Sequence, residues 1–261
     1  MNRTPLNTLP DAVPTYLRDR FRGAPVFDSS CSPEARVYYI DRDGGIYLKL
    51  SPLGTLKAEA EMTAYFHEKG IAPEVLEYTS GECDILLSRA ARGEDCTAEI
   101  YLSDPRRLAD TVGEALRTLH ETSAEGCPVP HRMDGYLSLA EKNYREGKFD
   151  PSLFPAGIGF SSADEAHAVL KTGKCAFEND TLIHGDYCLP NIMLDNWRFS
   201  AFIDLGNGGV GDRHVDLFWG AWTLIYNLKT DKYCDRFFDA YGRDKVDADI
   251  LRTVAAAEVF G

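Results

Sequence analysis

The segment His184-Gly185-Asp186-Tyr187-Cys188-Leu189-Pro190-Asn191, followed by Ile203-Asp204-Leu205-Gly206, constrains this chain more than any other. Asn191 lies five positions after Asp186, and Asp204 lies eighteen after it. The apolar run Thr181-Leu182-Ile183 leads into the first group. Ile192-Met193-Leu194 leaves it, and Asp195-Asn196 begins the turn of a hairpin that returns through Phe199–Ile203. Taken singly, each Asp or Asn reads as a turn residue or a strand-end cap. In this order, on a strand–loop–hairpin frame, they instead bring oxygen-bearing side chains into one region, a donor set suited to a hard cation.

The pattern resembles the kinase catalytic loop, H-x-D-x-x-x-x-N with a D-x-G beyond a short hairpin. Phosphoryl transfer leaves the protein little covalent work and depends on positioning and charge. Asp186 would accept a hydrogen bond from an attacking hydroxyl and orient it, while Asn191 and Asp204 would hold Mg²⁺ against phosphate oxygens. Such a site needs a strand lysine and a helical acid upstream. In Ile46-Tyr47-Leu48-Lys49-Leu50 the period of two puts Ile46, Leu48 and Leu50 on one face and Tyr47 and Lys49 on the other. Lys49 then points into a cleft, where its ammonium suits phosphate oxygens. Glu59 and Glu61 are the possible partners. At 100° per residue Glu59 shares the arc of Leu56, Met62 and Phe66, whereas Glu61 faces solvent, so Glu59 is expected to pair with Lys49. No G-x-G-x-x-G covers the phosphates; Ser30-Cys31-Ser32-Pro33-Glu34-Ala35 stands in its place and reads equally well as an ordinary turn. The stretch from Ser88 to Gly93, with Ser88 and Ala90 foremost, is where an adenine edge would meet backbone groups.

The remaining sequence predicts an α+β protein of two lobes: a small antiparallel-sheet N-lobe over 1–92 and a larger helical C-lobe over 93–261. Strands are expected at 35–40 and 46–50 around an Asp41–Gly45 hairpin loop, then at 75–79 and 84–88, with a helix over 56–70. Helices are expected at 105–120, 137–146, 163–172, 214–228 and 247–260, and a further apolar run at 199–205. The formal net charge of −13 argues against a nucleic-acid partner and suits a cationic one. The longest near-apolar stretch, Leu217 to Tyr226, is about half of the ~20 residues a membrane span requires. The first residues lack a signal-peptide core, and seven scattered cysteines without a C-x-x-C pair read as reduced thiols, so a cytoplasmic monomer or homodimer is expected.

The segments Ile183–Met193 and Phe199–Gly206, with Gly208–Leu217, Ala115–His120, Cys31–Tyr38 and, more loosely, Tyr241-Gly242 to Phe260, are similar to the bacterial aminoglycoside 3′-phosphotransferases. That resemblance implies a protein-kinase-like bilobal fold, ATP and Mg²⁺ as cofactors, and transfer of the γ-phosphate to an amino-sugar hydroxyl. By matched position it implies Asp186 as base, Asn191 and Asp204 as metal ligands, Lys49 and Glu59 as the phosphate-positioning pair, and Ser32 in the nucleotide loop. Asp212 and Asp216 would brace the loop, and Glu258 and Phe260 would belong to the acceptor pocket. Departures fall on the substrate side. The C-terminus reads Ala257-Glu258-Val259-Phe260-Gly261, one acid fewer than usual, the 154–160 loop carries no carboxylate, and Asn207 stands where an Arg commonly follows the D-x-G. Each lost carboxylate removes a contact of about 1.5–3 kcal/mol to an ammonium. A kinase of another sugar, amino alcohol or antibiotic is the alternative reading. A nucleotide-binding module without turnover fits poorly with Lys49, Glu59, Asp186, Asn191 and Asp204 all present. A protein kinase fits poorly with the missing glycine-rich loop and A-P-E segment.

Overall fold

Period-two alternation in the first ninety residues builds a six-stranded antiparallel sheet with one apolar face. The computed structural model describes residues 3–31, 35–149 and 159–261. Strand β1 (Thr4–Leu6) precedes helix α1 (Thr15–Arg20), and β2 (Val26–Asp28), β3 (Arg36–Ile40) and β4 (Ile46–Ser51) follow. Helix α2 (Lys57–Glu68) then leads to β5 (Val75–Ser80) and β6 (Asp84–Arg89), giving the order β1-β2-β3-β4-β6-β5. Tyr38 pairs with Leu48 and Ile40 with Ile46, so these side chains share a core with Leu50, Ile85, Leu87 and the Val13, Leu17 and Phe21 of the α1 region. Tyr47 and Lys49 take the opposite, half-buried face, as their spacing predicts.

The second part is mostly helical. Strand β7 (Glu94–Asp95) is followed by α3 (Glu99–Leu102), α4 (Pro105–His120), α5 (Arg132–Arg145) and α6 (Ala163–Gly173). Next come β8 (Thr181–Ile183), β9 (Ile192–Asp195), β10 (Arg198–Phe202) and β11 (Gly209–Gly211), then α7 (His214–Leu228), α8 (Cys234–Tyr241) and α9 (Ala248–Glu258). Helix α4 starts where Asp104 accepts a hydrogen bond from the Arg107 amide, with Pro105 at the first helical position. Its apolar stripe of Leu108, Val112, Leu116 and Leu119 is buried with Tyr187, Leu189, Phe202, Leu217 and Phe237. β7 pairs with β9 and β8 with β11, each antiparallel. The Asp212 carboxylate accepts from the Glu178 amide, the His214 amide and His214 Nδ1, while His214 Nε2 accepts from the Asp247 amide that opens α9. All seven cysteines are unpaired thiols, and among the described residues no helix is long and apolar enough to cross a membrane.

Several expectations need correction. α5 begins five residues before the expected 137, since buried Met133 packs with Ile183 and Val215 and offsets the cost of Gly135 in the first turns. β10 stops at Phe202, because Asp204 turns left-handed at φ +61°. α1, α8 and the short strands β1, β2 and β7 were not expected; α8 is held by buried Phe237 and Tyr241, a stripe too short to stand out.

Helices α4 and α8 approach closely at Gly113, where an added Cβ would lie 2.6 Å from the Phe237 carbonyl oxygen. Gly113→Ala is expected to cost about 1–3 kcal/mol and to lower the Tm by several degrees in a thermal melt.

Candidate active site

The loop between β8 and β9 is fixed from beneath by one buried carboxylate. Asp216 on α7 accepts from the His184 amide (Oδ2, 2.7 Å) and the Gly185 amide (Oδ1, 2.7 Å), and His120 Nε2 lies 3.1 Å from its Oδ2. His120 Nδ1 pairs with the Tyr241 hydroxyl at 2.9 Å, and full burial pushes the His120 pKa down against the pull of Asp216. His184 Nε2 meets the Ile203 carbonyl at 3.0 Å and ties the loop to the returning hairpin strand. Gly185 has φ +80°, and a Cβ there would sit 1.9 Å from the Asn207 carbonyl oxygen, so only glycine lets the loop and the Asp204–Asn207 turn touch. The Tyr187 hydroxyl donates to the Val112 carbonyl (2.7 Å) and the Leu189 amide to Thr223 Oγ1 (3.2 Å).

On this frame the polar side chains converge. Asn191 Nδ2 donates to the Asp186 carbonyl (3.0 Å) and to Asp186 Oδ2 (2.9 Å), which fixes the amide orientation and leaves Asn191 Oδ1 as an acceptor. The Asn191 carbonyl accepts from the Ile203 amide at 3.0 Å, placing Asp204 next in line. Lys49 Nζ bridges Asp204 Oδ1 at 2.9 Å and Glu59 Oε2 at 2.7 Å. Burial alone would lower the Lys49 pKa, but the Asp204 and Glu59 carboxylates outweigh it and raise it, so the ammonium stays charged. Burial pushes the Glu59 carboxyl up while Lys49 pulls it back. Glu61 pairs instead with Lys57 on the outer face of α2, at 3.7 Å, as the helical period requires.

No cluster of three or more His, Cys, Asp or Glu side chains able to cage a metal occurs among the described residues. One carboxylate and one amide oxygen, Asp204 and Asn191, fit a cation that takes its remaining ligands from phosphate and water, which is the habit of Mg²⁺. Ser88 lies on β6 opposite Tyr47 and Val75. The Ala90 amide donates to the Gly45 carbonyl at 3.0 Å, continuing the β4–β6 ladder past Ile46 and Arg89, so at that position the carbonyl is the backbone group left for a base edge. Ser32 and most of the 154–160 loop lie outside the described residues.

At the end of α9, Glu258 Oε1 accepts from the Tyr136 hydroxyl (2.9 Å) and from Trp219 Nε1 (3.0 Å). Burial, chiefly, with repulsion from Asp186, raises its pKa to about 7 despite those two donors, although part of the side chain stays exposed. Phe260 does not belong to the pocket surface. Its ring is 1% exposed, with Tyr144 at 5.6 Å and Phe149 at 5.9 Å, and its carbonyl accepts from Asn143 Nδ2 at 2.6 Å. Arg132, Tyr136 and Trp219, which gather around Asn207 and Glu258, were not found from sequence. They come from α5 and α7, and no short spacing links them; the only hint was Tyr136 standing one helical turn after Arg132.

A six-stranded antiparallel sheet over a helical lobe, with a lysine from the first reaching an aspartate of the second, is the bilobal protein-kinase-like fold. Residues 33–253 match the phosphotransferase enzyme family, and the chain belongs to that family, within its aminoglycoside phosphotransferases. It is 47% identical over 96% of both chains to a probable aminoglycoside 3′-phosphotransferase of Lactococcus lactis subsp. lactis. It is 30% identical to an aminoglycoside 3′-phosphotransferase of Niallia circulans, over 83% of this chain and 84% of that one. Its fold is similar to the crystal structure of an aminoglycoside-3′-phosphotransferase of type VIII, with a TM-score of 0.78, 26% identity and coverage of 94% and 97% of the two chains.

Replacing Asp216 by Ala would leave two backbone amides of the loop without their acceptor. A loss of about 2–5 kcal/mol in urea unfolding is expected, together with a fall in turnover.

Proposed function

We propose that this protein is an ATP-dependent O-phosphotransferase that phosphorylates the 3′-hydroxyl of an aminoglycoside. The observation that carries this reading is the convergence of Asp186, Asn191, Asp204 and Lys49 on one side of the β8–β9 loop, in a chain of this family. A relative solved with ADP and streptomycin, 24% identical with a TM-score of 0.68, supports the nucleotide as cofactor.

In this reading residues 1–92 form the nucleotide lobe and residues 93–261 carry the catalytic loop and the acceptor pocket. Lys49, kept charged and aimed by Glu59, would bind the nucleotide phosphates, and Ser88 with the carbonyl of Ala90 would border the base. Asn191 and Asp204 would hold Mg²⁺, whose charge offsets that of the phosphates when bound. Asp186 would accept a hydrogen bond from the acceptor hydroxyl and take its proton as the hydroxyl oxygen attacks. Asn191 assists by donating to Asp186 Oδ2, which fixes the carboxylate rotamer. Glu258 would take an ammonium of the acceptor. Unpaired thiols and the lack of a membrane-spanning helix among the described residues support a cytoplasmic location. A second reading, an acceptor with few amines, is favoured by the sharing of Glu258 with two protein donors.

Asp186→Ala is expected to abolish kanamycin- or neomycin-dependent ADP release while nucleotide binding, read by calorimetry, stays within a few-fold; equal turnover in the variant rules out the base role. Glu258 has a pKa raised to about 7, so it is largely protonated at pH 6 and ionised at pH 8. The KM for a cationic acceptor should therefore fall as pH rises through about 7, and Glu258→Gln should flatten that part of the profile.

A further inference from the structure

The surroundings of Glu258, read above as the acceptor site, contain a positive charge that a site built only for polycations would not need. Arg132 is the first residue of α5, and Nη2 donates to Asn207 Oδ1 at 2.6 Å. Asn207 directly follows the Asp204-Leu205-Gly206 turn, and its carbonyl packs against Gly185, next to Asp186. One helical turn along α5, Tyr136 donates to Glu258 Oε1. Arg132 is thus anchored between the catalytic loop and the α9 carboxylate. Arg18, Arg20, Arg145, Arg236 and Arg243 each sit against an Asp or Glu, as an acidic chain makes easy. Among the described residues Arg132 has no such partner: its hydrogen bond goes to a neutral amide. Burial, chiefly, lowers its pKa, with Glu258 pulling the other way, and a guanidinium remains charged regardless.

The neighbouring wall supplies no compensating acid. Along α7 from Trp219, whose Nε1 holds Glu258, the next side chains on that face are Trp222 and Tyr226. Trp219 and Trp222 meet edge-on at 5.3 Å, and Trp222 and Tyr226 stack at 5.0 Å with 9° between planes. Rings of this kind suit the C–H faces of a sugar and carry no formal negative charge to set against that of Arg132.

We propose that Arg132 is a specificity-determining residue: fixed on Asn207 beside the catalytic loop, its guanidinium repels a second ammonium near the one Glu258 takes, so the pocket selects an amino sugar with a hydroxyl at that neighbouring position. The proposal rests on the reading of the Asp186 loop as the phosphotransfer site and of Glu258 as the acceptor carboxylate. A hydroxyl oxygen there accepts from the guanidinium, whereas an ammonium offers only donors and a like charge.

The test uses two acceptor pairs that each differ by one hydroxyl-for-amine exchange, paromomycin against neomycin and kanamycin A against kanamycin B. Each is assayed for kcat/KM and, without nucleotide, for calorimetric Kd, on the wild-type protein, Arg132→Gln and Arg132→Lys, with thermal melts to verify folding. In at least one pair the wild-type protein is expected to favour the hydroxyl member by about tenfold, the scale of one like-charge contact in a partly dry site. That preference should reside in KM and Kd, vanish in Arg132→Gln and survive in Arg132→Lys. An unchanged preference in Arg132→Gln overturns the proposal and leaves the phosphotransferase reading standing; so does a uniform loss of kcat for both members, which would assign Arg132 to the transfer step. If the wild-type protein phosphorylates none of the four, the aminoglycoside reading fails and the Kd ratios decide Arg132 alone: equal ratios in wild type and Arg132→Gln overturn it, as does absence of binding.

Discussion

The Lys49 ammonium is the point at which the molecule becomes a single machine. It is carried by β4 of the sheet, held at 2.7 Å by Glu59 of α2 and at 2.9 Å by Asp204 of the helical lobe. Two carboxylates would repel across that gap, and desolvation would add to the cost; one cation between them turns the repulsion into a bridge. The contact between sheet and helical part, the orientation of α2 and the left-handed turn at Asp204 all meet at this ion. In the proposed function a triphosphate would enter the same field, with Lys49 as its counter-charge.

Beneath that bridge lies a second, purely structural device. The Asp216 carboxylate gathers two loop amides and His120, so the backbone of His184 and Gly185 is determined before any substrate arrives. Catalysis by positioning depends on such prior order, because hydrogen-bond acceptors that must reorganise during the reaction lose much of their benefit. The division of labour is clear: Asp216 and His184 hold the backbone, while Asn191 holds Asp186.

Much of this was legible in the sequence where chemistry and local periodicity coincide. The intervals from Asp186 to Asn191 and Asp204 named the loop, the strand period turned Lys49 inward, and the helical period chose Glu59 over Glu61. What was not legible depends on tertiary neighbours. The Ala90 amide is taken by Gly45 because β4 and β6 pair across an intervening helix and strand, and the Phe260 ring went into the core because Tyr144 and Phe149 close over it. Arg132, Tyr136 and Trp219 meet Asn207 and Glu258 from across 75, 122 and 39 positions, separations at which no pattern in the chain betrays contact. Short amphipathic pieces such as α8 were missed because eight residues carry too few periods to register.

The helix that ends in Glu258 is moored at both ends. Asp247 caps its start and is tied through His214 to Asp212 at the end of β11, while Tyr136 and Trp219 grip the far carboxylate some 16 Å along the axis. A strut secured in this way does not hinge to suit each visitor. If Glu258 takes an ammonium of the acceptor, as proposed, the carboxylate is already in place and has little freedom left to lose on binding.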